Sequence, residues 1–218
     1  STPTAASSAS PESVVDTVVL RYFLLVDEAH LLLELLGSPI ATPRIVYDDD
    51  EAADTPDHVR SEITRSVAYQ RRASADLARN VEARQEASCN AERLSRVTAL
   101  HESGSLVILD LSTEELALVG HLTSPDGCKD FRLRFPLDAG EAACIALAVT
   151  RSLVLVTDDG DALSALARHA PGHPYERIRK LLMRAGTRGL CTTMRANEIH
   201  REMRRLGFWD REEPFPGR

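Results

Sequence analysis

The sequence predicts an α/β fold in which helices alternate with short strands of a parallel sheet. The clearest observation is the stretch of residues 140–166, GEAACIALAVTRSLVLVTDDGDALSAL. Its first half has small and apolar residues at the spacing of one helix face, namely Ala142, Ile145, Ala146 and Val149. The apolar run 153–156 follows, typical of a strand covered on both faces. An acidic loop and a second helix come directly after it, from Ala162.

Three further apolar runs predict the remaining strands, at residues 14–20, 40–42 and 106–109. Helical patterns cover residues 23–36, 175–184 and 193–206, and a capping pattern at residues 112–115 predicts the start of another helix. Pro43 suits the first turn of a helix. Residues 123–134, which include Pro125 and Gly127, predict a loop.

Residues 58–100 contain no Gly or Pro and many strong helix formers. They predict either one long helix or two helices with a short break. Arginines alternate there with acidic residues, which indicates a solvated helical arm. A nucleic-acid-binding surface is the alternative interpretation.

Composition limits the class of protein. A chain of 218 residues with 43% hydrophobic residues is typical of one domain with a sizeable core. The formal net charge of -7 does not suggest general adhesion to polyanions, although the chain is strongly basic from Arg177 to Leu206. The four cysteines have no paired spacing, which indicates reduced thiols in a cytoplasmic protein.

The ends of the chain and its apolar segments predict no targeting or membrane element. Residues 1–12 lack the basic start and apolar core of a signal peptide, so we expect a disordered tail. The apolar segment 14–36 is interrupted by charged residues, which excludes a membrane span there. We also expect a C-terminal tail at residues 211–218.

Carboxylates follow or precede several of the predicted strands. Asp16 lies inside the first apolar run, where it is either a turn or capping residue or, as we favour, a site residue, since burying it unpaired would be costly. Glu141 opens the helix before the fourth strand, and three aspartates follow that strand: Asp158, Asp159 and Asp161. A fourth source is the acidic cluster 48–51, most of which we expect to be solvated.

These carboxylates would meet at one edge of a parallel sheet, where α/β proteins bind ligands. Clustered carboxylates raise one another's pKa and are suited to Mg²⁺ or Mn²⁺, which prefer oxygen ligands. No His or Cys joins the set, so zinc or iron chemistry is disfavoured. The sequence contains no GxGxxG, GxxxxGK[ST] or GxSxG motif.

The order VVDTVVL, ATPRIVYDDDE, LDAGEAACIALA and LVLVTDDGDALSAL, within residues 13–209, resembles the PIN-domain nucleases. That family includes the toxins of VapBC-type toxin–antitoxin pairs. The resemblance implies a Rossmann-like three-layer α/β/α sandwich around a parallel sheet. It also implies RNA cleavage with Mg²⁺ or Mn²⁺ held by three or four acids. We expect one such domain at residues 13–210, with a helical insertion at about residues 52–104.

Carried over to this sequence, the resemblance implies four catalytic acids: Asp16, Asp49, Glu141 and Asp159. The second of them stays open within the cluster 48–51. The metal ligands would be Asp16, Glu141, Asp158, Asp159 and Asp161. The basic helices would attract the RNA backbone through Arg177, Lys180, Arg184 and Arg188.

Three other interpretations stay open. The domain could bind RNA or protein without cutting, or it could be the masked half of a toxin–antitoxin pair. Asp16-Thr17 after a strand could instead serve a phosphatase or phosphotransferase, although the second Asp of the DxDx[TV] pattern is missing. An antitoxin protein and a second copy of the chain are the expected protein partners.

Overall fold

A five-stranded, entirely parallel sheet forms the centre of the molecule in the computed structural model, which describes residues 10–46 and 62–216. Its strands are β1 Ser13–Val15, β2 Ile40–Pro43, β3 Leu106–Leu109, β4 Val154–Val156 and β5 Tyr175–Glu176. Every strand pairing is parallel. The predicted α/β class and parallel sheet are therefore confirmed.

The sheet has the strand order β3-β2-β1-β4-β5. The chain thus builds β2 and β3 on one side of β1 and then crosses to build β4 and β5 on the other side. The neighbours β1 and β4 consequently form a topological switch point, the place where the crossover connections leave in opposite directions. In open α/β sheets this point leaves a crevice beyond the carboxyl ends of the strands.

Helices connect and cover the strands. In the described residues they are α1 Thr17–Leu25, α2 Ala29–Leu36, α3 Glu62–Ala75, α4 Val81–Ser95, α5 Val97–Glu102, α6 Thr113–Leu122, α7 Pro125–Asp130, α8 Ala139–Arg151, α9 Gly160–His169, α10 Ile178–Arg188 and α11 Thr193–Arg205.

The sheet is buried on both faces because successive side chains of a strand point to opposite sides. Val14 and Leu155 belong to a core with α8 and α9. Val15 and Val156 belong to a second core with α1, α2, α10 and α11. Helical layers on both faces explain why the central strands β1 and β4 are mostly apolar instead of alternating with polar residues.

The first apolar run does not form a strand over its whole length. β1 ends at Val15, and Asp16 caps α1, whose side chains Val19, Leu20 and Phe23 are fully buried. The predicted strand 14–20 is wrong beyond Val15, because a helix buried on most sides is as apolar as a buried strand. The predicted helix 23–36 is likewise two helices, α1 and α2.

Three other local predictions need correction. Pro43 ends β2 and does not begin a helix. Residues 175–184 start with β5 before α10, and the predicted loop 123–134 contains α7. The final helix, predicted at 193–206, is confirmed as α11.

The helical arm contributes to the core. α3 and α4 pack against each other and against α1. Ile63, Leu94 and Val97 are buried in the core that contains α1, and the Arg93 guanidinium donates a hydrogen bond to the Leu25 carbonyl at 2.7 Å. The prediction of a fully solvated arm is therefore wrong for the face of α3 and α4 that packs against α1.

The C-terminal segment also lies against the helices. The Asn197 side chain donates to the Phe215 carbonyl at 2.7 Å and accepts from the Phe215 N–H at 2.9 Å. The Phe215 ring packs beside Gly186, where a Cβ atom would approach it to 2.7 Å. The part of the expected tail that the structure describes, residues 211–216, is thus held by α10 and α11.

Replacing Leu94 with Ala tests whether the arm is part of the core. Leu94 is 0% exposed, so we expect Leu94→Ala to lower the free energy of unfolding by about 2–5 kcal/mol in urea titrations. Leu77 lies between α3 and α4 and is 82% exposed, so Leu77→Ala should change the free energy of unfolding by less than about 0.5 kcal/mol. Equal effects of the two substitutions would show that the arm does not dock.

Candidate functional site

Asp16 sits at the carboxyl end of β1, at the switch point. Its side chain is buried, and Oδ1 accepts a hydrogen bond from the Thr17 N–H at 2.6 Å. Oδ2 accepts a second hydrogen bond from the Thr157 hydroxyl at 2.9 Å. Asp16 is therefore a helix cap, as one interpretation of the sequence had it, and its carboxylate is held at the edge where a ligand would bind.

Thr157 connects the ends of the two central strands. It follows β4 directly, is buried, and its Oγ1 donates to Asp16 while accepting the N–H of Asp159 at 3.1 Å. One hydroxyl thus fixes the relative positions of two candidate site residues. Sequence reasoning assigned Thr157 no role, although its place between a buried strand and two aspartates marked it as part of the edge.

Asp159 lies half-buried at the start of α9. Oδ1 accepts the Ala162 N–H at 2.7 Å, which makes Asp159 the helix cap. Among the described residues, Oδ2 has no hydrogen-bond partner. The carboxylate is therefore fixed through one oxygen, and the other is available to a ligand.

Glu141 enters the site from the first turn of α8. Its Oε2 accepts the Asp138 N–H at 3.3 Å. The pKa of Glu141 is raised to about 8, first by burial and then by the nearby charges of Asp159 and Asp16. The charges of Asp16 and Asp159 thus act on Glu141, which comes from a separate part of the chain.

The donor set fits a hard cation in its chemistry but does not form a closed ligand group. Carboxylate oxygens are the ligands that Mg²⁺ and Mn²⁺ prefer. Within residues 10–46 and 62–216, however, no three His, Cys, Asp or Glu side chains lie close enough together to hold a metal. Asp49 and the rest of the cluster 48–51 lie outside the described residues.

Asp158 has other partners. Its Oδ2 accepts the Ile178 N–H at 2.8 Å and its Oδ1 accepts from the Arg177 Nε at 3.2 Å. Burial raises the pKa of this carboxyl. Asp158 therefore anchors the start of α10, while Asp161 is exposed in the first turn of α9.

The predicted RNA-binding residues are mostly engaged in ion pairs. Arg177 pairs with Asp158, and both Lys180 and Arg184 pair with Glu176, at 3.3 and 2.7 Å. Arg184 also donates to the Leu35 carbonyl, which gives it a structural role. Arg188 is exposed and has no carboxylate within 4.0 Å among the described residues.

No protein-family model, curated protein or solved structure matches this chain. The resemblance to PIN-domain nucleases therefore stays a prediction from the sequence. None of the helices in the described part of the chain combines the length and the hydropathy needed to cross a membrane.

The raised pKa of Glu141 predicts a pH-dependent stability. Between its ordinary value of 4.5 and about 8, the folded state binds a proton that the unfolded state releases, so stability falls as pH rises through this range. We expect Glu141→Gln to unfold at higher urea concentration than wild type at pH 8, with the difference vanishing near pH 4.

Glu34→Gln is the matched control, since Glu34 is exposed on α2. It should leave the urea midpoint unchanged across the same pH series. A Glu141→Gln variant that is no more stable than wild type at pH 8 would contradict the buried, crowded environment of this carboxyl.

Proposed function

We propose that this chain is a Mg²⁺- or Mn²⁺-dependent endoribonuclease of the PIN type, hydrolysing RNA phosphodiester bonds. Support comes from the positions of Asp16 and Asp159 beyond the ends of β1 and β4, and from the charges of both residues acting on Glu141. The three carboxylates come from the end of β1, the start of α8 and the end of β4, and each is held by a backbone N–H. Such preorganised carboxylates are typical of a cation site.

Asp16, Glu141 and Asp159 would hold the cation, with an acid of the cluster 48–51, Asp49 in our assignment, as a fourth. A bound divalent cation supplies an activated water and neutralises the charge that develops on the phosphate. The contribution of the chain is to fix the carboxylates before the substrate arrives. The Thr157 hydroxyl does so for Asp16, and the first turn of α9 does so for Asp159.

RNA is the substrate of the proposed nuclease. The basic C-terminal third would attract the RNA to a chain of net negative charge. Among the described residues, Arg188 is the predicted contact that has no carboxylate partner. A cytoplasmic location, an antitoxin partner and a homodimer belong to the same proposal. An adjacent small gene for a DNA-binding antitoxin would favour the toxin of a toxin–antitoxin pair over a stand-alone nuclease.

Asp16→Asn tests the catalytic proposal. With labelled RNAs and Mn²⁺, we expect wild-type cleavage that EDTA abolishes. Removing one ligand charge should lower the rate by at least about 100-fold, since cation stabilisation of the transition state amounts to several kcal/mol. Circular dichroism should show that the variant keeps its fold.

Asp110→Asn is the matched control. Asp110 follows β3 at the same edge of the sheet, but it is exposed and pairs with Arg44 at 2.5 Å, away from the switch point. The Asp110→Asn variant should cleave RNA at the wild-type rate. If Asp16→Asn cleaves as fast as Asp110→Asn, the assignment of the switch point is wrong.

One observation favours a second function, a PIN-like module that binds RNA or protein without cutting. Among the described residues the carboxylates do not close into a three-ligand group. Calorimetric titration with Mn²⁺ separates the two functions. Wild type should bind the ion if the chain is a nuclease, and absence of both binding and cleavage would favour the non-catalytic module.

A further inference from the structure

A basic groove lies at the end of α11, where the chain turns into the C-terminal segment. Its volume is about 510 Å³, and it is lined by Arg201, Arg204, Arg205, Phe208, Trp209 and Arg211. Four arginines and two aromatic rings therefore surround one space. None of these residues belongs to the predicted RNA-binding set or to the carboxylate site.

The groove has a fixed aromatic floor and an exposed aromatic wall. Phe208 is buried and packs edge-on against Tyr22 and His200, with ring centroids 5.1 and 5.7 Å apart. Trp209, the next residue, is 58% exposed. The buried Phe208 ring thus anchors the backbone, while much of the Trp209 indole surface stays exposed.

The arginines of the groove are incompletely neutralised. Among the described residues no carboxylate lies within 4.0 Å of the guanidinium of Arg204 or Arg211. Arg201 pairs with Glu213 at 3.6 Å, and Arg205 pairs with Glu86 at 2.9 Å. These two ion pairs involve side chains that are at least one-third exposed, and such pairs are weak enough for an anionic ligand to replace them.

The nearby acids Asp210 and Glu212 do not cancel this charge. Both pair with Arg179, which lies outside the groove lining. The groove therefore keeps a positive surface next to an exposed indole.

We propose that this groove binds an unpaired nucleotide of a single-stranded nucleic acid. The base would stack on Trp209, and its flanking phosphates would pair with the arginines, Arg204 and Arg211 first. Stacking on an exposed ring is open to any unpaired base, and guanidinium groups match the geometry of phosphate oxygens. An acidic peptide would use the arginines but has no flat ring to cover the indole, which favours the nucleotide.

One residue connects the groove with the switch point. The Arg177 guanidinium lies 5.2 Å from the Trp209 ring centroid and donates to Asp158 at 3.2 Å, the residue before Asp159. A strand held at Trp209 could therefore extend toward the carboxylates. This role as a substrate subsite rests on the proposed nuclease function, whereas binding in the groove can be measured without cleavage.

Trp209 is the only tryptophan of the chain, so its fluorescence reports on this groove alone. The full chain is titrated in EDTA, which prevents metal-dependent cleavage, with an eight-nucleotide RNA, the same sequence as DNA, and the corresponding duplex. We expect saturable quenching by both single strands and weaker binding of the duplex, whose bases are already stacked. A preference between the RNA and DNA arms identifies the natural ligand.

Two variants locate the binding by fluorescence anisotropy of the labelled RNA. Trp209→Ala should weaken binding by about 5- to 100-fold through the loss of base stacking. Arg204→Glu should weaken it as well and reduce its dependence on salt. Arg168→Glu makes the same charge change at the far end of α9, on an exposed residue, and should bind like wild type. Thermal unfolding checks that each variant is folded.

Several results would overturn the proposal. One is the absence of quenching by either strand. Another is an equal weakening of RNA binding by Arg168→Glu and Arg204→Glu. A third is quenching by polyglutamate at lower concentration than by RNA, which would assign the groove to an acidic protein segment. The two proposals fail separately. Quenching without cleavage in Mn²⁺ supports binding in the groove and contradicts the nuclease. Cleavage without quenching by either strand supports the nuclease and contradicts binding in the groove. An unchanged KM in Trp209→Ala contradicts the role of the groove as a substrate subsite.

Discussion

The hydrogen bond from the Thr157 hydroxyl to Asp16 joins the two halves of the sheet at the point where the rest of the site is organised. β1 and β4 are neighbours in the sheet although some 140 residues separate them in the chain. A backbone hydrogen bond from the Asp16 N–H to the Val156 carbonyl, at 3.0 Å, also joins the two strand ends. Because the same hydroxyl accepts the Asp159 N–H, one side chain sets the spacing of two carboxylates and the starting points of α1 and α9.

Burial and the neighbouring carboxylates make the ionised form of Glu141 costly. Asp16 is buried and the pKa of Glu141 is raised to about 8, first by burial and then by its carboxylate neighbours. A proton on Glu141 relieves this repulsion, and the cation of the proposed function would do the same. Asp158, one residue from Asp159, is also buried, and burial raises its pKa. The Ile178 N–H and the Arg177 guanidinium offset part of this effect.

The basic groove at Trp209 has a different origin. It depends on the C-terminal segment, which Asn197 holds through both hydrogen bonds of the Phe215 backbone. Arg177 contacts this segment through Trp209 and the carboxylate edge through Asp158. A change in how the segment docks would therefore alter both the groove and the surroundings of the site.

Much of the fold could be predicted from local patterns. The stretch that forms α8, β4 and α9 combines a helical repeat, an apolar run and an acidic loop within 27 residues, so each element was recognisable. The boundary between β1 and α1 could not be predicted, because the segment Val-Val-Asp-Thr-Val-Val-Leu is mostly apolar and fits a buried strand or a buried helix. The two-residue strand β5 is specified by its neighbour β4 and not by its own sequence.

The site was predictable in outline only. Strand ends carrying carboxylates indicated Asp16, Glu141 and Asp159 as candidates. Asp158 and Asp159 have different partners because Asp158 contacts Ile178 and Arg177, about 20 residues further along the chain. No local sequence pattern indicates these contacts. Thr157 was missed for the same reason, since its importance lies in a partner on the other central strand.

The most direct test of the central claim is anomalous diffraction from crystals of the full chain grown with Mn²⁺. We expect a manganese peak at the switch point, contacted by Asp16, Glu141 and Asp159, and its absence in crystals of Asp16→Asn. Crystals that show manganese elsewhere on the molecule but none among these three carboxylates would contradict the account.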